Sequence, residues 1–298
     1  MNRAALVVLA GLLGCSAASK STFKSSGSGE AAGGGGSGGD DSGSATVTTT
    51  TSSGFDPQTS SSGSGSGGDP QISEVFGHSA ETLYRLDPTT KQVAIVGPFQ
   101  QCSGVIDLAI DGTSNIFAAT SGGLYRVDKK TAVCTLVAQG DYPNSLSFVP
   151  GGTLLPNEEA LVGYNGSTYV RIDTKTGTVS QVGSLGGGYQ SSGDIVSVKD
   201  GGTYLTVNGN GCGDCLVEVD PKNGSLKKNW GPVGFGAVYG LAYWAGRAYG
   251  FSNYGDLFEI KFVGTGVQST PINVPNAPPS LSFWGAGSTT SAPVDEPK

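Results

Sequence analysis

The chain has 298 residues, 50 of them Gly, with 14% charged residues and a formal net charge of −7; about 25% charged is usual for a soluble domain. No basic cluster is present to displace counterions, which excludes a nucleic-acid partner. A single His and a single Met leave no basis for a His-ligated metal centre, and no metal or other cofactor is expected.

In chain order, residues 1–14 come first: Met-Asn-Arg, then an apolar run that ends Leu12-Leu13-Gly14 and meets Cys15. One positive charge followed by so short an apolar core reads as a secretory signal, too short to remain as a membrane span. The Leu12–Cys15 stretch resembles the lipobox of bacterial lipoproteins. That resemblance implies acylation of Cys15, and Ser16 after it implies the outer membrane. Residues 15–70 are the lipidated Cys and a Ser/Gly-rich tether, with Phe23, Val47 and Phe55 as its only large apolar side chains. Such a segment buries too little to offset the entropy of ordering, so it is expected to be a disordered linker with a reach of about 40 Å.

From residue 71 to 286 the expected fold is all-β. Apolar residues alternate or cluster in short runs separated by Gly, Asn, Asp and Pro. Four copies of one pattern stand out: Leu83–Asp87, Leu124–Asp128, Tyr169–Asp173 and Leu216–Asp220, with a fifth, Leu257–Lys261, that has lost the Asp. They recur about every 41 to 47 residues, the period of a propeller blade. Each copy divides into four strands; the clearest is Val105–Ile110, Asn115–Thr120, Leu124–Asp128 and Val133–Ala138. The first copy lacks its innermost strand, and Ser280–Trp284 at the other end is spare. Its core, Leu281-Ser282-Phe283, matches Leu108-Ala109-Ile110 and Leu146-Ser147-Phe148 in having a small middle residue. The expectation is a five-bladed β-propeller closed by this C-terminal strand, with residues 287–298 as a disordered tail. Asp87, Asp128, Asp173 and Asp220 are read as Asx turns and not as a metal set, since they lie one per blade on outer hairpins.

Residues 83–97 and 169–183 resemble repeats of exported bacterial propellers of the YncE-like and quinoprotein-like superfamily. The resemblance implies architecture; it carries over no cofactor residue, and the superfamily mixes binders, scaffolds and enzymes.

Candidate sites follow from the blade plan. The blade-joining loops hold Phe99, Tyr142, Tyr189 and Phe235. One aromatic per loop suits a sugar- or peptide-binding face, and equally suits a plug over each blade's core. Asp107 and Asp194 begin innermost strands, and Asp141 lies near a third. Convergence of Asp107 and Asp194 would favour a glycan-acting hydrolase, whose chemistry needs two carboxylates about 5–10 Å apart. His78 is expected in a loop facing solvent, without a catalytic partner. Among Cys102, Cys134, Cys212 and Cys215 three disulfide pairings are open. The Cys212–Cys215 spacing suits a local staple, which leaves Cys102 with Cys134. The functional expectation is a monomeric, envelope-anchored binding or scaffold module, held at the membrane by its lipid and offering a propeller face to a protein or glycan. The hydrolase is the alternative.

Overall fold

The computed structural model describes residues 73–274 and 280–296. The expected signal, Cys15 and the tether lie outside the described residues. Within these, twenty strands and no helix are present. Blade one begins with β1 (Val75–His78), β2 (Thr82–Leu86) and β3 (Val93–Pro98). Blade two is β4 (Val105–Ile110), β5 (Ile116–Thr120), β6 (Gly123–Val127) and β7 (Cys134–Gln139). Blade three is β8 (Leu146–Val149), β9 (Ala160–Asn165), β10 (Thr168–Ile172) and β11 (Val179–Ser184). Blade four is β12 (Gln190–Ser197), β13 (Thr203–Gly209), β14 (Cys212–Val219) and β15 (Leu226–Pro232). Blade five is β16 (Val238–Trp244), β17 (Arg247–Ser252), β18 (Leu257–Val263) and β19 (Gly266–Ile272). The last strand, β20 (Gly285–Ser288), returns to blade one. The result is five antiparallel four-stranded sheets, each in chain order except blade one, which runs β20-β1-β2-β3. This is the five-bladed propeller that the repeat spacing implies.

Burial falls from the axis outward. β1, β8 and β20 are buried along their whole length, whereas β3 and β11 are not. The core is divided among five seams, each between two neighbouring blades, so no blade has a core of its own. The turns after the third strands form as expected. Asp87 Oδ1 accepts from the amides of Thr89 (2.8 Å) and Thr90 (3.0 Å), and Asp173 Oδ1 from those of Lys175 (2.9 Å) and Thr176 (2.8 Å). Four residues after each Asp the chain turns left-handed, at Gly177 and Gly224, but also at Lys91 and Ala132. In blades one to four the outer hairpin carries a register shift at one equivalent place, which bends the exposed edge.

Closure comes from the C-terminus, but not from the expected residues. β20 pairs with β1 from His78↔Gly285 to Val75↔Ser288. Ser280–Trp284 lies ahead of the strand. Phe283 copies the repeat pattern but fills the seam between blades five and one, edge-on to Tyr84 and Phe251. The axis instead demands residues with almost no side chain. A methyl carbon on Gly285 would stand 2.3 Å from Asp107 Oδ1 and 2.4 Å from His78 Nε2. Gly-Ala-Gly-Ser is the stretch that meets this demand.

The expected tail is likewise structured where it is described. Residues 287 and 288 complete β20, and the chain then crosses the inner ends of several blades. Thr289 N–H donates to Glu74 O (3.1 Å), while Lys199 N–H and Ala245 N–H donate to Thr290 O (2.8 Å) and Pro293 O (2.7 Å). The Lys199 and Ala245 amides lie at turns where the sheet leaves donors unpaired, and the tail's carbonyls satisfy them.

Candidate functional site

The blade-joining aromatics are plugs. Phe99, Tyr142 and Tyr189 are all buried in the seams. Phe99 joins the seam between blades one and two. Tyr142 joins the next, and its hydroxyl donates to Gly177 O at 3.1 Å. Tyr189 joins the third, and its hydroxyl oxygen accepts from Asn210 Nδ2 (3.3 Å) and Asn229 Nδ2 (3.0 Å). Phe235 stacks on Phe258 with ring centroids 4.0 Å apart. The four rings therefore do not form the expected binding face; the apolar seams take them in.

Asp107 and Asp194 do converge. They stand at the inner strands of blades two and four, and ring closure brings them together at the axis with no exposed surface on either. Each carboxyl is clamped by strand amides. Asp107 Oδ1 accepts from Leu108 N (2.8 Å) and Oδ2 from Leu146 N (2.6 Å). Asp194 Oδ1 accepts from Ile195 N (2.6 Å) and Oδ2 from Leu241 N (2.8 Å). Burial, and for Asp107 the neighbouring Asp194 charge, push both carboxyls well above the usual carboxylate range. Both carboxyls therefore favour their neutral form more than an exposed carboxylate does.

His78 completes this cluster and is not the solvent-facing loop residue expected from the sequence. It ends β1, is fully buried, and its Nε2 has no hydrogen-bond partner. Nδ1 lies 2.9 Å from Ser79 O. Burial lowers its pKa from 6.5 to about 4, so the ring is neutral near pH 7. Two carboxyls with no exposed surface, each with both oxygens held by strand amides, leave no space for a glycosidic bond or an attacking water. Convergence here produces a clasp. Asp107 joins blades two and three, and Asp194 joins blades four and five. Asp141 is exposed in the loop before Tyr142, away from this pair.

Both disulfides form, Cys212–Cys215 as a local staple in blade four and Cys102–Cys134 between the first joining loop and β7. Among the described residues no group of three His, Cys, Asp or Glu side chains has the arrangement of a metal site.

Exposed aromatics stand elsewhere on the rim. Tyr254 is 76% exposed, Trp284 40% and Tyr239 38%. They belong to three segments that Asn253 ties together. Asn253 N–H donates to Ala237 O (2.8 Å), while Asn253 Nδ2 donates to Ser282 Oγ (2.7 Å) and Phe283 O (3.0 Å). Tyr254 follows Asn253, Trp284 follows Phe283, and Tyr239 is two residues past Ala237. Among the described residues, Asn253 Oδ1 accepts no hydrogen bond, and the Trp284 indole N–H donates none. Sequence reasoning missed these residues. The one available signal was Tyr254 in the tight Asn253-Tyr254-Gly255-Asp256 turn, where a large side chain has no interior to enter.

No protein-family model matches the chain, and no curated protein sequence matches it. Solved structures are similar at low identity. They include hydrazine synthase of Kuenenia stuttgartiensis (12% identity, 66% of this chain, TM-score 0.39). A nidogen/laminin complex has a similar chain (8% identity, 75% of this chain and 100% of that chain, TM-score 0.44). So does the periplasmic gluconolactonase PpgL of Pseudomonas aeruginosa (14% identity, 70% of each chain, TM-score 0.37). The chain spans 61% of the hydrazine synthase chain it matches.

Proposed function

We propose that this protein is a binding module of the cell envelope, anchored by a lipid on Cys15, that takes up neutral glycans on the rim bearing Tyr239, Tyr254 and Trp284. The observation that carries the reading is the exposure of three aromatic rings on segments fixed to one another through Asn253. Flat, exposed rings on rigid loops stack against sugar faces at little entropic cost. Polar chemistry is at hand beside them. Asn253 Oδ1 is an open acceptor, and Ser282, whose oxygen already accepts from Asn253, keeps its proton to donate. The supporting loop, Gly234-Phe235-Gly236-Ala237, is uncharged, and the exposed carboxylate nearby is Asp256. That charge, with the net −7 of the chain, disfavours acidic sugars. The sealed Asp107–Asp194 pair speaks against the hydrolase alternative, since neither carboxyl reaches a ligand at this rim.

The test is retention of the full chain on immobilised neutral oligosaccharides, with uronate and sulfated oligosaccharides alongside. Neutral sugars should be retained and acidic ones not. Tyr254→Ala and Trp284→Ala together should weaken retention at least about tenfold, the scale of two lost stacking contacts. Equal retention of the variant and the wild type refutes the reading. The anchor is tested separately: Cys15→Ser should leave the membrane fraction and lack acyl mass, and a variant that still pellets with membranes contradicts the lipid.

A further inference from the structure

We propose that the cavity between the first joining loop and the β5–β6 turn is a second subsite of the same rim, and that the ligand is an extended neutral oligosaccharide reaching from Trp284 into it. The inference rests on the binding reading above and adds to it the length of the ligand.

The cavity has a volume of about 430 Å³, within the size range of small-molecule sites. One wall is Gln101, Cys102 and Ser103; the other is Ser121 and Gly122, with Tyr125 on β6 beside them. Both walls are fixed before any ligand arrives. Gln100 N–H donates to Ala132 O (3.0 Å), Gln100 O accepts from Cys134 N (2.8 Å), and the Cys102–Cys134 disulfide pins the loop again beyond Gln101. Across the cavity, Thr120 Oγ1 accepts from the amides of Gly122 (3.2 Å) and Gly123 (3.1 Å) and holds the turn. Walls already ordered lose little freedom on binding.

The lining selects the ligand. Gln101, Ser103 and Ser121 are exposed, and Tyr125 is half-buried. Among the described residues none of these four side chains makes a hydrogen bond. Two aliphatic hydroxyls, a phenol and a carboxamide therefore remain to donate and accept. No Asp, Glu, Lys or Arg lines the cavity. A charged group would find no counter-charge there, whereas a polyhydroxylated neutral ligand can pair with each open group.

Position supplies the length. The β1–β2, β5–β6 and β17–β18 turns each join the second strand of a blade to its third, which puts them on one rim with Tyr254. The β1–β2 turn, Ser79-Ala80-Glu81, is bonded on both sides. On one side Trp284 N–H donates to His78 O (2.8 Å). On the other, Val105 N–H donates to Ala80 O (3.1 Å) and Phe99 N–H to Glu81 O (2.8 Å). Phe99 and Val105 bracket the loop that carries Gln101, Cys102 and Ser103. A single turn thus fixes the aromatic platform and the cavity relative to each other. A short sugar fills one of them. An extended one engages both, and its second contact forms within the complex already made.

The experiment is titration calorimetry of the full chain with maltose and maltohexaose, and with cellobiose and cellohexaose. Of at least one pair, the hexasaccharide should bind about tenfold or more tightly than the disaccharide, the gain that about two uncharged hydrogen bonds supply. Ser121→Leu, at an exposed position, fills the cavity from one wall, and Ser103→Leu from the other. Each should bring the hexasaccharide down to the disaccharide's affinity and leave the disaccharide unchanged, with circular dichroism like the wild type. Equal affinity of the two lengths in the wild type overturns the second subsite without any variant. Hexasaccharide binding unmoved in the folded Leu variants overturns it too, and in both cases the aromatic rim stands. Hexasaccharide binding that the Leu variants abolish but the Tyr254→Ala/Trp284→Ala chain keeps refutes the rim and the bridge together. No binding of either length refutes the rim reading, and the extended ligand with it.

Discussion

The rim carries aromatic side chains in two places, and the propeller treats them differently. Phe99, Tyr142 and Tyr189 enter the seams that lead into blades two, three and four. Tyr239, Tyr254 and Trp284, at the junction of blades five and one, stay in solvent. The first group has seams to fill. At the closing junction that space is already taken by Phe283 and Phe251, packed edge to face at 5.2 Å. Aromatics that arrive there have nowhere to go but outward. An exposed ring in this fold thus marks the place where the ring was closed with residues to spare.

Several variants break or sharpen that contrast. The largest effect should come from truncation after Trp284. It removes β20 and exposes the edge of β1. No cooperative melt should remain; a soluble product that melts like the wild type would show that closure is not what holds the ring. Next, Tyr189→Ala should cost about 3–5 kcal/mol, as a buried aromatic truncation does, whereas Tyr254→Ala should change stability by less than about 0.5 kcal/mol. Equal melting of the two variants by calorimetry would erase the distinction between plug and platform.

The axis should then give stability an optimum in pH. His78 has a folded pKa of about 4 against 6.5 unfolded, so it contributes stability above 6.5 that is lost as pH falls toward 4; the loss amounts to about 3 kcal/mol. The Asp107–Asp194 pair has the opposite sign. Its raised titration means the native state holds a proton that the unfolded chain has released, so stability declines as pH rises from the ordinary carboxylate range through the raised value. Denaturant unfolding followed across pH should show both flanks, and Asp107→Asn should flatten the alkaline one.

Much of the architecture was legible because it is repeated. The repeated apolar–charged alternation ending in Asp (Leu83–Asp87, Leu124–Asp128, Tyr169–Asp173, Leu216–Asp220) fixes third strands and turns, and the small residue at each innermost strand reflects crowding at the axis. The closing strand was misplaced because Leu281-Ser282-Phe283 imitates that pattern, while the true strand, Gly285–Ser288, obeys the crowding so completely that it has no apolar signature left. Asp107 and Asp194 were legible as a pair worth watching, but not their complete burial at the axis: that depends on ring closure, which no local spacing encodes. Whether a rim aromatic turns inward or outward depends on which side chain fills the seam first. For that reason Tyr142 was visible as a candidate and Tyr254 was not.

Retention on neutral oligosaccharides, with melting recorded on the same samples, separates plug from platform most directly. The Tyr254→Ala/Trp284→Ala chain should lose at least about tenfold in retention and melt like the wild type, because its missing rings touch solvent and stack at about 0.5–1.5 kcal/mol each. Undiminished retention, or a loss that tracks a fall in melting temperature, would contradict a binding rim at the junction of blades five and one.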